Sequence, residues 1–366
     1  MQFNATSDSQ RLRACYDMTS AGWPVDHPGQ PAWAFDSFAG KWGPGFDGAP
    51  RETWLAANDA DEPVGCYLLQ LPAKENAAMA FCKVLVAPHA RRSGAGRALL
   101  EHCAAQARKA GRSRLVGNAR DDTPGAAFAA AAGARGGIPE VYRVLTFDSA
   151  LPARLAGLRP AAERRAAGYS LVSWLSPAPA EYLDQLCRIH SAMADAPRDA
   201  GVEPLVWDAD RIRRSEEVMA EHKLTCYAIA ARHDATGELA ALTEMCIEAD
   251  TPDWAFQQIT AVLPEHRGHR LGLLLKIAML EWLQEREPAV RHIETGNAGA
   301  NAHMIAINEQ LGFTIEGVSR DWELDLGSRQ DTAAAESAPA ESALADTAPA
   351  DAGPEAPAGS ARRRQS

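Results

Sequence analysis

The chain of 366 residues is 46% hydrophobic and carries a formal net charge of −11. This acidic balance excludes nucleic acid as the main partner, because a nonspecific duplex binder needs a basic surface. The sequence contains no basic segment followed by an apolar core near its start and no run of about 20 apolar residues, so we expect neither a signal peptide nor a membrane span. Together these features predict a soluble, cytoplasmic protein.

The seven cysteines are scattered, odd in number and mostly placed in apolar segments: Cys15, Cys66, Cys82, Cys103, Cys187, Cys226 and Cys246. None of them forms a Cys-x-x-Cys pair. We therefore predict that all seven are reduced core residues, and we predict no metal site.

The first half begins with a predicted helix at residues 10–21 and an irregular stretch rich in Trp and Pro at 23–50, which should cover a binding cleft. Alternating apolar residues then predict strands at 53–57, 64–69 and, as the central strand, 78–86. An amphipathic helix with Leu99 and Cys103 on its apolar face ends at Gly111. A strand at 141–147 is expected to complete this unit.

The second half repeats these elements. Strands are predicted at 169–174, 226–231, 239–248 and 254–263, and helices at 180–193, 209–222 and from 271 to the residues before Pro288. The apolar stripe of this last helix, which includes Leu271, Leu274 and Trp282, is typical of a core.

A length prior of about 150 residues per domain agrees with two domains. We predict an N-terminal domain at 1–150, a linker at 151–167, whose composition leaves open whether it is helical, and a C-terminal domain at 168–326. Residues 327–366 are mostly Ala, Pro, Ser, Asp and Glu, with one Leu and no aromatic residue, and are predicted to be a disordered tail because they lack the apolar surface to form a core.

Two stretches, 84–96 and 260–272, repeat one pattern of strand, turn and helix at a constant offset. The glycines allow a tight bend whose backbone N–H groups converge with those of the helix N-terminus, and the arginines add positive charge, so each stretch suits a diphosphate. An ordinary turn with solvated arginines would use the same residues. The candidate cofactor-binding residues are Val84, Val86, Arg91, Arg92, Ser93, Gly94, Ala95 and Gly96 in the first loop, and Val262, Arg267, Gly268, His269, Arg270, Leu271 and Gly272 in the second.

Further matches follow each loop. Gly-Asn-Ala occurs at 117–119 and 296–298, and a short helix closes on Gly133 and Gly312 at the same offset of 179. We predict that these segments are equivalent in the two halves.

The order of strand, Arg-x-x-Gly-x-Gly loop, helix, strand and Asn-containing helix resembles the GNAT superfamily of N-acetyltransferases, here as two copies over residues 10–326, as in mycothiol-synthase-like proteins. The resemblance implies an α+β fold of two GNAT-like domains, each a mostly antiparallel twisted sheet flanked by helices, and acetyl-CoA as acyl donor. The first loop fits the family's pyrophosphate loop, whereas Arg270 replaces the first glycine in the second. The run of Asn297, Asn301 and Met304 is similar to the motif that contacts pantetheine.

The implied reaction is direct attack of an amine on the acetyl thioester, which needs a base, oxyanion donors and an acid. A kink in the central strand, near 84–86 or 260–262, would free backbone N–H groups for the oxyanion. The tyrosine that many family members use as the acid is replaced by Ala129 and Asn308. Glu244, Gln258 and Glu294 are polar residues in apolar strands, where burial would raise a carboxylate pKa, although alternation could equally place them on the wet face.

Because the second half keeps more polar groups, we predict catalysis in the C-terminal domain by Glu244, Glu294 and Asn308, with Asn297 and Asn301 at the cofactor. The expected partner is a small-molecule amine and the protein a monomer. The predicted cleft segments contain six acidic residues and one histidine, and their carboxylates would attract a cationic amine: Asp26, His27, Asp36, Asp195, Asp199, Glu203 and Asp208. A catalytically silent acyl-CoA sensor and a mycothiol-synthase-like acetylation of a cysteinyl amino sugar remain alternatives.

Overall fold

The computed structural model describes residues 1–43, 45 and 51–327; the predicted tail from residue 328 on and part of the predicted 23–50 stretch lie outside them. The helices are α1 (Ser9–Asp26), α2 (Phe35–Trp42), α3 (Ala95–Lys109), α4 (Pro124–Ala131), α5 (Leu151–Arg165), α6 (Leu183–Ser191), α7 (Ala209–Glu221), α8 (Leu271–Arg286) and α9 (Ala302–Leu311). The strands of the first half are β1 (Gln2–Phe3), β2 (Arg51–Ala57), β3 (Pro63–Gln70), β4 (Met79–Val86), β5 (Arg114–Arg120), β6 (Arg135–Gly136) and β7 (Glu140–Thr146). Those of the second half are β8 (Tyr169–Leu175), β9 (Leu224–His233), β10 (Leu239–Glu248), β11 (Trp254–Val262), β12 (His292–Ala298) and β13 (Thr314–Asp325).

The two halves share one sheet. In the described residues, 13 strands form a continuous sheet in the order β1-β2-β3-β4-β5-β13-β7-β12-β11-β10-β9-β8, with β6 beside β13. Most neighbours are antiparallel, and only β4–β5 and β11–β12 are parallel. The predicted mixed α and β class with two similar halves is confirmed.

The halves exchange their last strands. The strand predicted to complete the first unit, now β7, pairs with β12 and β13, and β13 in turn pairs with β5 of the first half. The expectation that residues 141–147 close their own unit is therefore wrong. Each half is completed by a strand from the other, and the domain limits at 1–150 and 168–326 stay predictions.

Helices cover both faces of the sheet. One face carries α1 and α2 of the first half and α6 and α7 of the second, and we call it the acceptor face; it holds cores around Phe38 and Ile189. The other carries α3, α5, α8 and α9, with cores around Cys103 and Leu275, and we call it the cofactor face. Alternation along each strand sends successive side chains to opposite faces.

The predicted linker is mostly helical. Its α5 has Pro at the second position, where the missing N–H costs no hydrogen bond, and packs on α8. Leu151, Leu155 and Ala162 of α5 are fully buried there. The linker is thus part of the second half's core.

One cysteine pair differs from the prediction of seven reduced thiols. Cys226 and Cys246 are directly opposite each other on β9 and β10, and they form a disulfide across a Cα–Cα distance of 4.1 Å. Sequence spacing gave no indication of this, since 20 residues separate the two. Cys15, Cys66, Cys82, Cys103 and Cys187 are free thiols.

Candidate active site

The two predicted phosphate loops have the same backbone shape. Arg92 and Gly268, at matching positions, have φ of 64° and 87°, and Gly94 and Arg270 have φ of 94° and 55° as the N-caps of α3 and α8. Arginine and glycine are thus interchanged between two left-handed positions. The departure of Arg270 from the glycine pattern does not change the bend, because an arginine accepts this conformation at a modest cost.

Two of the predicted phosphate ligands have other partners. Arg91 donates through Nε to the carbonyl oxygen of Val86 at 3.3 Å and pairs with Asp26 at 2.6 Å. Arg267 makes the equivalent bonds to Val262 at 3.3 Å and Asp195 at 2.6 Å. These guanidinium groups hold the loops against the acceptor-face segments, so the side-chain charge directed to an anion comes from the exposed Arg92 and Arg270.

The remaining loop residues surround the helix N-termini. Ser93 Oγ donates to the carbonyl oxygen of Ala90 at 2.7 Å, and His269 Nδ1 lies 3.2 Å from the carbonyl oxygen of Arg165. Ala95 and Gly96 begin α3, and Leu271 and Gly272 begin α8. The backbone N–H groups of these first turns have no partner within the helix, as an anion site requires.

Below each loop the two parallel strands diverge. Pairing between β4 and β5 ends at Cys82 and Gly117, and pairing between β11 and β12 ends at Phe256 and Glu294. Val84, Val86 and Val262 lie past these forks, on strands that no longer pair with each other. Such a fork leaves room for an extended chain to enter between the strands and use their backbone groups.

Only the second central strand is kinked. Glu244 is opposite Ile259 while Met245 is opposite Gln257, so Gln258 is an extra residue that forms a bulge, slightly before the predicted 260–262. The side-chain Nε2 of Gln257 fills the bulge by donating to the carbonyl oxygens of Glu244 (2.6 Å) and Ile259 (2.8 Å). In the first half β3 and β4 keep one register from Gly65 to Gln70, and the kink predicted at 84–86 is absent.

The forks carry opposite charges on the acceptor face. Lys83 and Ile259 are matching positions, eight residues before Arg91 and Arg267. Lys83 is opposite Leu68, and Ile259 is opposite Glu244. The same cross-strand pair therefore supplies an amine in the first half and a carboxylate in the second.

Glu244 has the properties of a general base. About a quarter of its side-chain surface is exposed, and its Oε2 lies 3.9 Å from Nε2 of His190 on α6. Burial, with a smaller contribution from Glu216, raises the pKa of Glu244 to about 7. Burial also lowers the pKa of His190 to about 4, so this imidazole is neutral at pH 7, and the Trp207 ring packs on it at 4.5 Å between centroids.

Glu294 lies at the fork of β11 and β12 but contacts the first half. Gln30 Nε2, from the segment after α1, donates to Glu294 Oε2 at 2.7 Å. Burial raises the pKa of Glu294, and the Gln30 hydrogen bond opposes that rise. The geometry brings Glu244 and Glu294 to the acceptor face of one fork, on strands β10 and β12 that flank β11.

Asn308 lies on the cofactor face in a buried polar chain. Lys276 Nζ donates to Asn308 Oδ1 at 2.9 Å, and Asn308 Nδ2 donates to Asn297 Oδ1 at 2.7 Å. Asn308 is fully buried, and burial lowers the pKa of Lys276 to about 7. Asn308 therefore orients its neighbours, and it is not on the same side of the sheet as Glu244.

Asn301 has a structural role as a helix cap, and the Gly-Asn-Ala match needs correction. Asn301 is the N-cap of α9, and its Oδ1 accepts from the N–H of Met304 at 3.2 Å. Asn118 donates to Asp321 on β13 at 2.9 Å on the acceptor face, whereas Asn297 points to α9. The two Gly-Asn-Ala segments are thus out of register by one residue, and a one-residue slip reverses every side chain.

The cofactor side of the first half is more open. A cavity of about 220 Å³ lies between α3 and α4 and is lined by residues that include Arg97, Leu100 and Phe128. In the second half the residue matching Arg97 is Leu273, which is 3% exposed, and the one matching Phe128 is Ile307, which is 6% exposed. The first half has apolar Leu100 and Ala129 where the second has Lys276 and Asn308.

Most acidic residues predicted to attract the substrate have structural partners instead. Asp26 and Asp195 bind the loop arginines, Asp36 pairs with Lys223, and Asp208 caps α7 by accepting from the N–H of Arg211. The others bind backbone N–H groups: Asp199 accepts from Ile138 at 2.6 Å and Glu203 accepts from Asn76 at 2.6 Å. His27 stacks on Trp23 at 4.0 Å, and burial lowers its pKa to about 4.

Sequence reasoning missed Lys83, His190 and Lys276. Lys83 and Lys276 are each the one charged residue in an apolar run, Met-Ala-Phe-Cys-Lys-Val-Leu-Val and Leu-Gly-Leu-Leu-Leu-Lys-Ile-Ala-Met-Leu. That isolation is the signal that could have identified them. His190, in an amphipathic helix, carries no comparable signal.

Comparison with known proteins agrees with this geometry. The sequence profile of the acetyltransferase (GNAT) family matches residues 12–133. A tandem GNAT protein from the clavulanic acid biosynthesis pathway is similar in structure with a TM-score of 0.75 and 30% identity, over 89% of this chain and 98% of that one. A GCN5-related N-acetyltransferase from Sphaerobacter thermophilus has a TM-score of 0.60 and 13% identity, over 86% of this chain and 92% of that one. Among curated proteins, no relative matches this chain.

The chain belongs to the GNAT acetyltransferase family and is built as a tandem pair, as the resemblance of its sequence motifs predicted. It is accordingly an acyltransferase-type protein of a family that uses acetyl-CoA or other acyl-CoA donors. Among the described residues, no helix combines the length and apolar character that a membrane span requires.

Proposed function

We propose that the protein is an acetyl-CoA-dependent N-acetyltransferase whose chemistry takes place in the second half, at the fork of β11 and β12. The observation that carries this proposal is the position of Glu244. It is opposite Ile259 next to the Gln258 bulge, it is partly buried, and its pKa is about 7. A carboxylate with this pKa is half ionised at pH 7 and takes up a proton readily.

The proposed steps use groups of this fork. The anionic half of the donor binds at the N-terminus of α8 beside Arg270, and its acyl arm enters between β11 and β12. The substrate ammonium gives a proton to Glu244, the free amine attacks the thioester carbonyl, and backbone N–H groups of the kinked strand stabilise the oxyanion. The carbon–sulfur bond then breaks, and the thiolate takes up a proton as CoA leaves.

The acceptor is proposed to be the primary amine of a small molecule. Glu244 and Glu294 give the fork two carboxylates on the acceptor face, which suits a cation. The similar tandem protein belongs to a small-molecule pathway, clavulanic acid biosynthesis, and this supports a small acceptor. We infer a cytoplasmic enzyme, active as a monomer because both halves of the sheet lie in one chain.

The first half is proposed to bind acyl-CoA without acetylating a free substrate. Its cofactor face is open, but it has Leu68 where the second half has Glu244, and it has no bulge. A fork without a base would bind the donor and leave an external ammonium protonated. In this respect the first half alone would behave as a silent acyl-CoA sensor, which binds the donor without transferring its acyl group to a free substrate.

The test is acetyl transfer to a panel of polyamines, aminoglycosides and cysteinyl amino sugars, followed by CoA release. With an accepted amine, we expect Glu244→Gln to lower kcat/KM by about 10²–10⁴, the usual contribution of a general base. The matched control is Leu68→Gln, which introduces the same side chain at the corresponding position of the first half and should leave the rate within about twofold. Equal activity of Glu244→Gln and the unmodified protein would contradict the assignment.

A further inference from the structure

Lys83 occupies the fork of the first half. It follows Cys82, the last residue of β4 that pairs with β5, so it is the first residue of the diverging segment. Its side chain lies on the acceptor face, with Nζ 4.2 Å from the centre of the Trp33 ring. An acyl arm that enters the fork from the loop at Gly94 would end beside this amine.

In the described part of the chain the Lys83 amine has no counter-ion, because no carboxylate there pairs with it and the nearby Lys41 is paired with Glu248. Burial and the charge of Lys41 lower the pKa of Lys83 to about 8, so about a tenth of the molecules carry a neutral amine at pH 7. An unpaired amine in such surroundings is costly as a cation and is reactive as a neutral nucleophile.

We propose that the first half transfers an acyl group from acyl-CoA to Lys83 of its own chain. Nζ of neutral Lys83 attacks the thioester carbonyl, the carbon–nitrogen bond forms and the carbon–sulfur bond breaks. The proton that nitrogen loses passes to the CoA thiolate, so the products are an acyl-lysine and free CoA. This inference rests on acyl-CoA binding in the first half, as proposed above.

The composition of this fork fits an internal acceptor better than an external one. A free ammonium substrate would meet the like charge of Lys83, and Leu68 supplies no carboxylate to offset that charge. Lys83 itself needs no base, because its surroundings already favour loss of the proton. The neutral amide product also relieves the cost of a buried charge that no described carboxylate balances and that only the Trp33 ring contacts.

The experiment incubates the full chain with acetyl-CoA and follows intact mass, with peptide mapping to locate the modification. We expect a single added acetyl group, placed on Lys83. Lys83→Arg keeps the positive charge but cannot be acylated under these conditions and should show no added mass. Gly94→Glu places a negative charge at the N-terminus of α3 and should slow the modification at least about tenfold relative to Gly94→Ala, which shares the backbone strain of a side chain at φ 94°.

Lys276 is an internal control. It is more deeply buried and has a similarly lowered pKa, but it is bonded to Asn308 on the cofactor face, so it should stay unmodified. An unchanged mass, acetylation spread over several lysines, or equal modification in Gly94→Glu and Gly94→Ala would overturn the proposal. Glu244→Gln should still acylate Lys83 while losing turnover, so this proposal and the proposed function fail through different measurements.

Discussion

The two halves of the chain share the same arrangement of loop, helix and diverging strands, and they carry opposite charges at the fork. Both place a left-handed turn at the start of a helix, both tie one loop arginine to an aspartate, and both let the two parallel strands diverge below the loop. At the cross-strand pair beside the fork, one half has Leu68 and Lys83 and the other has Glu244 and Ile259. The fold thus supplies the proposed cofactor site in both halves, and a single pair decides whether the fork contains an amine or a carboxylate.

The cofactor face repeats the contrast in another form. The second half buries Lys276, Asn308 and Asn297 in a hydrogen-bonded chain, whereas Leu100 and Ala129 make the first half apolar at matching positions. The linker helix α5 packs on α8 of the second half. The half with the polar groups is therefore the more closed one, and the half with the open cavity lacks the base.

The largest effect should come from breaking the strand exchange. Ending the chain after Phe313 removes β13, which pairs with β5 and β7. We expect this variant to lose the cooperative unfolding of the whole chain, since β5 gains an unpaired edge and both halves lose a neighbour. A chain that ends after Gly327 is the control and should unfold as the full chain does. Circular dichroism melting compares them, and a truncated chain with an unchanged transition would contradict the shared sheet.

Local sequence could not reveal this exchange. The alternation in residues 141–147 identified a strand correctly, but alternation says nothing of the partner, which depends on the whole topology. The pattern around Gly94 and Gly272 was enough to locate both loops, because glycine and arginine there serve a local backbone requirement. The kink was expected at 260–262, two residues after the observed bulge at Gln258. The position of a bulge, like the partner of a strand, depends on pairing that local alternation does not show.

The next effect separates the two cofactor sites. Gly96 and Gly272 hold the same position in the first turn of α3 and α8, and neither has a positive φ. A glutamate at either site opposes a bound diphosphate and should remove two or more hydrogen bonds of about 1.5–3 kcal/mol each. We expect Gly272→Glu to lower acetyl transfer by about 100-fold or more, and Gly96→Glu to leave it within about threefold.

The alanine variants Gly272→Ala and Gly96→Ala test whether the effect of glutamate comes from its charge or from its bulk. A Cβ at Gly272 would be 3.5 Å from Ile307, and one at Gly96 would be 3.3 Å from Phe128. Both alanines should keep most of the binding. If Gly96→Glu abolished transfer and Gly272→Glu had no effect, catalysis would belong to the first half.

The pH dependence should differ between Glu244 and its replacement. The carboxylate is the active form, so kcat/KM should rise about tenfold per pH unit below about 7 and level off above it. The contribution of Glu244 to stability should change in the opposite direction. The folded chain holds the Glu244 proton at a pH where the unfolded chain has lost it, so this contribution to the free energy of unfolding falls as pH rises from about 4.5 to 7. His27 and His190, whose pKa values are lowered to about 4, contribute in the other sense between about pH 4 and 6.5, so the Glu244 contribution is read from the difference between variant and unmodified chain.

Glu244→Gln removes the rise in kcat/KM and the Glu244 contribution to stability, and it should melt at a higher temperature than the unmodified chain at pH 8 but not at pH 4. Rate profiles and melting curves over this range check the two predictions on the same protein. A variant that kept the rise in kcat/KM would assign the titration to another group.

Part of the site could be predicted, because an isolated acid in an apolar strand is visible in the sequence whereas the direction of its side chain is not. Glu244 and Glu294 were identified as isolated acids in apolar strands, and the structure brings both to one face because β10 and β12 flank β11. Asn118 and Asn297 were matched by residue type, yet the two segments differ by one residue in strand register, which sends the two side chains to opposite faces. Side-chain direction at a fork follows from register, and register is set by contacts far away in sequence.

The smallest effect concerns the buried chain on the cofactor face. Asn308→Ala removes the acceptor of Lys276, whose side chain is 1% exposed, and leaves a buried amine without a hydrogen bond. We expect a loss of about 2–3 kcal/mol in the free energy of unfolding. The double variant Lys276→Leu, Asn308→Ala makes these positions resemble Leu100 and Ala129 of the first half and should recover at least half of that loss, because no polar group is then left without a partner. Denaturant titration measures both variants. If the double variant were no more stable than Asn308→Ala alone, the cost would come from the lost packing of Asn308, and the polar chain would owe its stability to shape instead of to its hydrogen bonds.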